Sequence, residues 1–259
     1  MLGKDRNAGM KNLRVWFLPR RVVYGGVFAV ILLLAAAFAV QSQQGTAEMP
    51  SVSVTADAEN EPVFQGVTGG PNVAITVNVD WGEEWIPEIL RILAEHDVKV
   101  TFFVTGVWAE KNPELLKQMA EAGHSIQSHG YRHDHYNQMS VEQAVAEIKK
   151  AEKVISAITG KKCAAFASPY GEFDETVQEA ALQANVRLIM WTVDSIDWQK
   201  PDPETIAERI LSKAGNDSIL LFHPVEPTVK ALPRVLEGLR EKGLQCRTIE
   251  EILQPSVVR

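Results

Sequence analysis

From Asn72 onward, short apolar runs alternate with amphipathic stretches about seven times. Strands bury side chains on a two-residue period and helices on a 3.6-residue period, so the alternation reads as β and α elements in turn. The strand candidates are VAITVNV (73–79), KVTFFVTG (99–106), SIQSHG (125–130), CAAFASP (163–169), RLIMWTVD (187–194), SILLFHP (218–224) and LQCRTI (244–249). Between them lie helix candidates Glu84–His96, Pro113–Ala122, Val141–Ile158, Glu175–Ala184, Pro203–Ala214 and Leu232–Lys242. Ser140, with Gln143 three residues on, forms a capping-box signature ahead of Val141. Strands joined by helical crossovers pair in parallel, which predicts an α/β barrel or a doubly wound sheet. Either architecture gathers its chemistry beyond the carboxyl ends of the strands.

The residues before this alternation are of another kind. Val22 to Val40 is a run of nineteen residues without a charge, long enough to span a bilayer core as a helix. Six basic groups and one acid precede it, so the positive-inside rule predicts a cytoplasmic N-terminus and an extracytoplasmic body. The run exceeds the usual length of a signal-peptide core, which favours an uncleaved single-pass anchor in the cell membrane. Cleavage after Ala39, in the small-x-small stretch Ala37-Phe38-Ala39, would instead release a secreted product. The expected organisation is a cytoplasmic basic segment (1–21), an anchor (22–40), a flexible linker (41–71) and a globule (72–259). Net charge is −7 overall and −12 after Arg21, an acidic body ill suited to phosphate contacts, so no nucleic-acid partner is expected. Cys163 and Cys246 each lie in an apolar run and read as buried free thiols.

Polar residues collect at the expected strand ends. The first strand runs into Asn78-Val79-Asp80-Trp81-Gly82-Glu83-Glu84, and the third into Ser128-His129-Gly130-Tyr131-Arg132-His133-Asp134-His135. The fourth ends in Ser168-Pro169-Tyr170-Gly171, the fifth in Asp194-Ser195-Ile196-Asp197-Trp198 and the sixth in His223-Pro224. His129 and His133 are four apart, and a helical turn there would bring both imidazoles to one face, as in two-histidine metal sites. Asp80 is the natural third ligand, with His135 as its competitor. Two His and one Asp suit a catalytic divalent cation, zinc first and Co²⁺ or Mn²⁺ as alternatives, able to activate water and polarise a carbonyl. His223 follows a nearly apolar strand and could donate a proton if Asp194 or Asp197 held its tautomer.

Taken in order, these motifs resemble the polysaccharide deacetylase domain (the NodB homology domain, carbohydrate esterase family 4). The resemblance covers residues 72–253, and among family members the chain looks most like the membrane-anchored sporulation-associated ones. It implies a distorted (β/α) barrel of about seven parallel strands. It also implies metal ligation by Asp80, His129 and His133. Asp197 would tune His223 as the general acid, and Trp198, Tyr170 and Leu221 would face the substrate.

Two positions depart from the family pattern. Asn78 stands where the family has its catalytic base, usually Asp, and Ala167 stands where an arginine pairs with that base. An arginine kept beside a neutral Asn would be a poorly compensated charge in a partly buried site, so Asn78 with Ala167 is a coherent neutral replacement. The expected activity is metal-dependent removal of N-acetyl groups from a cell-wall glycan, slowed by the missing base unless Asp80, Glu83 or Glu84 shares the proton transfer. The rival expectations are a metal- and glycan-binding wall protein without turnover, and a C–N hydrolase acting on a small molecule.

Overall fold

The computed structural model describes residues 61–255. Segments 1–21 and 22–40, and the expected linker as far as residue 60, lie outside the described residues. Among those described, no helix is long and apolar enough to cross a membrane.

Eight strands form one wholly parallel sheet: β1 (Asn72–Val79), β2 (Thr101–Val104), β3 (Ser125–Ser128), β4 (Ala165–Phe166), β5 (Arg187–Leu188), β6 (Val193–Asp194), β7 (Ser218–Phe222) and β8 (Gln245–Arg247). Their order is β5-β4-β3-β2-β1-β7-β6, with β8 beside the first residues of β1. The chain is therefore an α/β protein with a curved parallel sheet, as the alternation predicts. The seven expected runs become eight strands because RLIMWTVD leaves the ladder after Leu188 and rejoins it at Val193. Between them Ile189 bridges to Val63.

The crossovers are α1 (Ile86–Glu95), α2 (Gly106–Lys111), α3 (Pro113–Glu121), α4 (Val141–Thr159), α5 (Glu175–Ala184), α6 (Pro203–Lys213), α7 (Glu226–Glu241) and the short α8 (Ile249–Ile252). The capping box on α4 is present, with the Ser140 hydroxyl accepting from Gln143 N–H and the Gln143 side chain returning to Ser140 N–H. Helix α7 starts six residues before the expected Leu232 and continues through Pro233. Its buried face (Leu232, Val235, Leu236, Leu239) compensates the missing proline donor.

Strand β1 shows how the sheet divides the core. Val73, Ile75, Val77 and Val79 belong to the apolar layer under the helices, while Ala74 faces the barrel interior with Phe103, Ala167, Ile189 and Ile219. Ile249 and Ile252 of α8 join that interior group from the far end of the chain. Beside them Glu250 accepts from Ser125 Oγ and Gln127 Nε2, both at 2.6 Å. On the two-residue period Asn78 follows Ala74 and Thr76 on the interior face.

The expected linker boundary needs correction, because residues 61–71 are docked on the sheet. Val63 N–H donates to Leu188 O and Met190 N–H to Val63 O, both at 2.8 Å, and Thr192 Oγ1 donates to Phe64 O at 2.7 Å. Gly69 N–H donates to Asp217 Oδ2 at 2.7 Å, and Thr68 Oγ1 also donates to the Asp217 carboxylate. This strap lies between β5 and β7, whose edges do not pair directly. Its lack of sustained periodicity follows from spanning a gap rather than joining a ladder.

Both cysteines are free, and burial pushes the Cys163 thiol up to about 12 and Cys246 up to about 11. His124 is 3% exposed at the start of β3, where its Nδ1 accepts from Val100 N–H at 3.2 Å. Burial first, and the Lys99 charge second, lower its pKa to about 4. The unfolded chain binds this proton from about pH 6.5 downward, whereas the folded chain resists it to about pH 4. Stability contributed by neutral His124 is therefore complete above pH 6.5 and is lost as pH falls to about 4, a change of about 3 kcal/mol. Urea unfolding across this range should show that slope, and His124→Leu should flatten it.

Candidate active site

Because every strand points the same way, the loops after β1, β3, β4, β6 and β7 converge on one face. They enclose an open cleft of about 420 Å³ lined by Asn78, Trp81, His129, His133, Tyr170, Gly171, Trp191, Asp194, Trp198, Leu221 and His223. Seven of the nine expected site residues lie in this wall. Of the other two, Asp197 is buried behind His223 and Asp80 sits at the end of β1 beside Thr105.

The acid arm is complete. Asp197 is fully buried and accepts from His223 N–H at 2.7 Å, from the Thr228 hydroxyl and from His223 Nδ1 at 2.8 Å. A carboxylate only accepts, so Nδ1 carries the proton and Nε2 is left for the cleft. Trp81 stacks parallel to the His223 ring, with planes 5° apart and centroids at 6.3 Å. Of the two acids considered for this role, Asp197 fills it, and Asp194 instead accepts from Ile196 N–H at 2.8 Å.

His129 and His133 meet edge to face with centroids 5.1 Å apart. They do so without the expected helical turn. The chain bends after Gly130, which has a φ of +80° and packs so tightly under Tyr136 that a Cβ would lie 2.0 Å from its hydroxyl. His129 Nδ1 lies 2.7 Å from the Ala167 carbonyl, so it carries the hydrogen and leaves an Nε2 lone pair. Burial, with the neighbouring His133 second, lowers the His129 pKa to about 3. Burial also lowers that of His133, against the opposing pull of the Asp80 charge.

Two neutral imidazoles and a carboxylate are a donor set suited by type to a divalent transition metal. The orientation of His129 by a carbonyl is the kind of outer contact that such ligands use. The set is not assembled into a closed cage, and among the described residues no three His, Cys, Asp or Glu side chains converge closely enough to hold an ion. One Asp80 oxygen is occupied by Thr105 Oγ1 at 2.8 Å. His135, the competing ligand, is bound to Glu172 instead.

The two positions that depart from the family pattern, Asn78 and Ala167, are neutral. Asn78 is 7% exposed and its Oδ1 has no protein partner, an acceptor left for something in the cleft. Ala167 is buried in the apolar interior group with Phe103 and Ile219, so no cation reaches across toward Asn78 from this position. Glu83 and Glu84 are exposed and do not line the cleft. The carboxylate in the wall is Asp194. Trp191 is a wall residue that the sequence did not single out, because it sits inside an apolar strand-like run. Trp81 and Asp194 lay within the strand-end motifs without a substrate role assigned to them.

A parallel α/β sheet with a histidine-acid pair and a histidine cluster at its carboxyl face defines a hydrolase-type cleft. Residues 65–189 match the family described as polysaccharide deacetylase. The chain is 30% identical over 201 residues to a peptidoglycan-N-acetylglucosamine deacetylase of Bacillus cereus, covering 76% of this chain and 73% of that one. It is 36% identical over 204 residues to the uncharacterized protein YlxY of Bacillus subtilis, covering 79% of this chain and spanning 64% of the length of that relative. Among solved structures it resembles BA3943, a CE4 family pseudoenzyme from Bacillus anthracis. There the TM-score is 0.74 and the identity 35%, covering 77% of this chain and 71% of that one. A BA3943 mutant described as having restored enzymatic activity has the same TM-score of 0.74 at 33% identity. The chain belongs to the polysaccharide deacetylase family.

Asp197→Ala would leave three donors at a fully buried position without their acceptor. A loss of about 3–5 kcal/mol in urea unfolding is expected, far above that of a surface substitution.

Proposed function

We propose that this protein is a slow, metal-dependent hydrolase that removes N-acetyl groups from a cell-wall glycan. The observation that carries this reading is the intact acid arm, Thr228–Asp197–His223, in one cleft with His129 and His133.

Trp198 and Tyr170 are 52% and 58% exposed, and such faces suit sugar rings. Leu221 lines the floor against the acetyl methyl. Once its Nε2 has taken a proton from the attacking water or from solvent, His223 is an imidazolium stabilised by Asp197, and it passes that proton to the departing amine and returns to neutral. A backbone N–H near Tyr170 helps the oxyanion. A divalent cation, zinc in the first instance and Co²⁺ or Mn²⁺ as alternatives, would be held by Asp80, His129 and His133 and would supply Lewis acidity and a water of lowered pKa. Asn78 takes no proton at neutral pH but can accept a hydrogen bond from the acetamide N–H. Proton removal then falls to Asp194 or solvent, at a cost on the order of 10²–10⁴ in rate.

The second reading, glycan binding without turnover, is favoured by the neutral Asn78–Ala167 pair and by the likeness to BA3943. The apolar segment 22–40 and its basic flank support a membrane-anchored, extracytoplasmic location of the sporulation-associated type.

Acetate release from N-acetylchitooligosaccharides and from peptidoglycan, with and without added Zn²⁺, tests the proposal. The wild type should release acetate above the His129→Ala background, and Asp194→Asn should lower that rate. Asn78→Asp with Ala167→Arg should recover much of the factor on the order of 10²–10⁴. Release by the double variant alone would establish the second reading, and release by neither would end the hydrolase account.

A further inference from the structure

His135 is left unused by the cleft chemistry, yet its ring is engaged on one face and at one nitrogen. Its ring stacks on Tyr170 with centroids 4.0 Å apart and planes 16° apart, and its Nδ1 lies 2.6 Å from Glu172 Oε1. The other Glu172 oxygen accepts from Asn137 N–H at 3.1 Å. Tyr170 in turn meets His133 edge-on at 4.6 Å and donates its hydroxyl to the His133 carbonyl at 3.3 Å. Two loops, 133–137 and 168–172, are thus joined by contacts running in both directions.

Tyr170 needs such a hold. Its φ is +59°, in the left-handed region that bulky residues rarely occupy. A conformation of this kind persists only where the surroundings over-determine it. Glu172 spends both oxygens on the neighbouring loop, and its side chain is only 11% exposed. Released from that loop, Tyr170 would relax toward negative φ, rotating the peptide plane that carries its N–H and swinging the ring away from the cleft.

We propose that His135 and Glu172 are positioning residues that clamp the 168–172 loop, so that Tyr170 presents a fixed ring and backbone N–H to an N-acetylated sugar. This rests on the glycan reading of the cleft. The clamp prepays the ordering of the wall, which is what preorganisation contributes to affinity.

The test uses the full chain in detergent, titrated calorimetrically with N-acetylchitotetraose, alongside amide hydrogen exchange. His135→Ala and Glu172→Gln should each weaken binding about tenfold while the domain's melting temperature moves little. The amides of Gly171 and Glu172, which donate to Ser168 O and Pro169 O at 3.2 and 3.3 Å, report the loop directly and should exchange markedly faster. His135→Phe, which keeps a ring on Tyr170 but loses the bond to Glu172, should recover part of the affinity. A merely structural role would lower the melting temperature and leave affinity alone. Unchanged exchange in both variants overturns the clamp, whether or not sugar binds. Faster exchange with unaltered affinity overturns the positioning role. If the wild type binds no oligosaccharide, the glycan reading falls and the sugar-presenting role with it, while exchange alone still decides whether the clamp exists.

Discussion

Helical crossovers join most successive strands, β5 and β6 being linked by a short extended stretch instead, and all eight run in one direction, so their exits fall on one face. The cleft depends on that geometric constraint. Interior positions must be small or apolar through most of the barrel's depth, as Ala74, Phe103, Ala165, Ile189 and Ile219 are. Polar side chains below the cleft, such as Thr76 and Gln127, have protein hydrogen-bond partners. Asn78, His129 and His223 stand at the cleft itself, on three different strands or their exits. None has a local partner in sequence, and each is placed by the register of its strand.

Within the cleft the surroundings of His223 and of Asn78 are built on opposite electrostatic principles. On the acid side a fully buried carboxylate is satisfied by three donors, an arrangement that costs desolvation and is recovered only through complete hydrogen bonding. At Asn78 and Ala167 there is no charge, only an amide with one unpartnered oxygen and a methyl group in the apolar interior. Removing a buried ion pair as a unit can be neutral for stability, whereas removing one member is costly. The Asn78–Ala167 combination is therefore stable in a fold whose relatives include both deacetylases and a pseudoenzyme.

Much of this was legible in the sequence because periodicity and strand-end chemistry are local signals. The α/β class, β1 with its terminal Asn78 and Asp80, the capping box at Ser140, and the gathering of His129, His133 and His223 in one cleft all follow from residue patterns. What was hidden depends on long-range packing. The strap at 61–71 carries no period because its partners are Leu188, Asp217 and Ile252, more than a hundred residues away. The division of RLIMWTVD into β5 and β6 accompanies that strap, which pairs with Ile189 between them and with Ser218 of β7. Trp191 reads as strand core from its neighbours and becomes cleft wall only because the strand is broken there. The bend at Gly130 replaced an expected helical turn, since a tyrosine hydroxyl packed against its Cα excludes any other residue.

The same reasoning separates His135 from its neighbours. By spacing alone it is one more histidine in a cluster suited to a cation, and nothing local distinguishes it from His133. The distinction comes from Glu172 on another strand's exit, which accepts a hydrogen bond from His135 Nδ1–H while Tyr170 covers its ring face. A ligand to a cation needs a nitrogen lone pair free to converge with others, and a ring stacked flat under Tyr170 and tied to Glu172 is turned to a different task. Three histidines within seven residues thus divide by what lies opposite them: a carbonyl orients His129, the Asp80 charge acts on His133, and a carboxylate from the next loop claims His135.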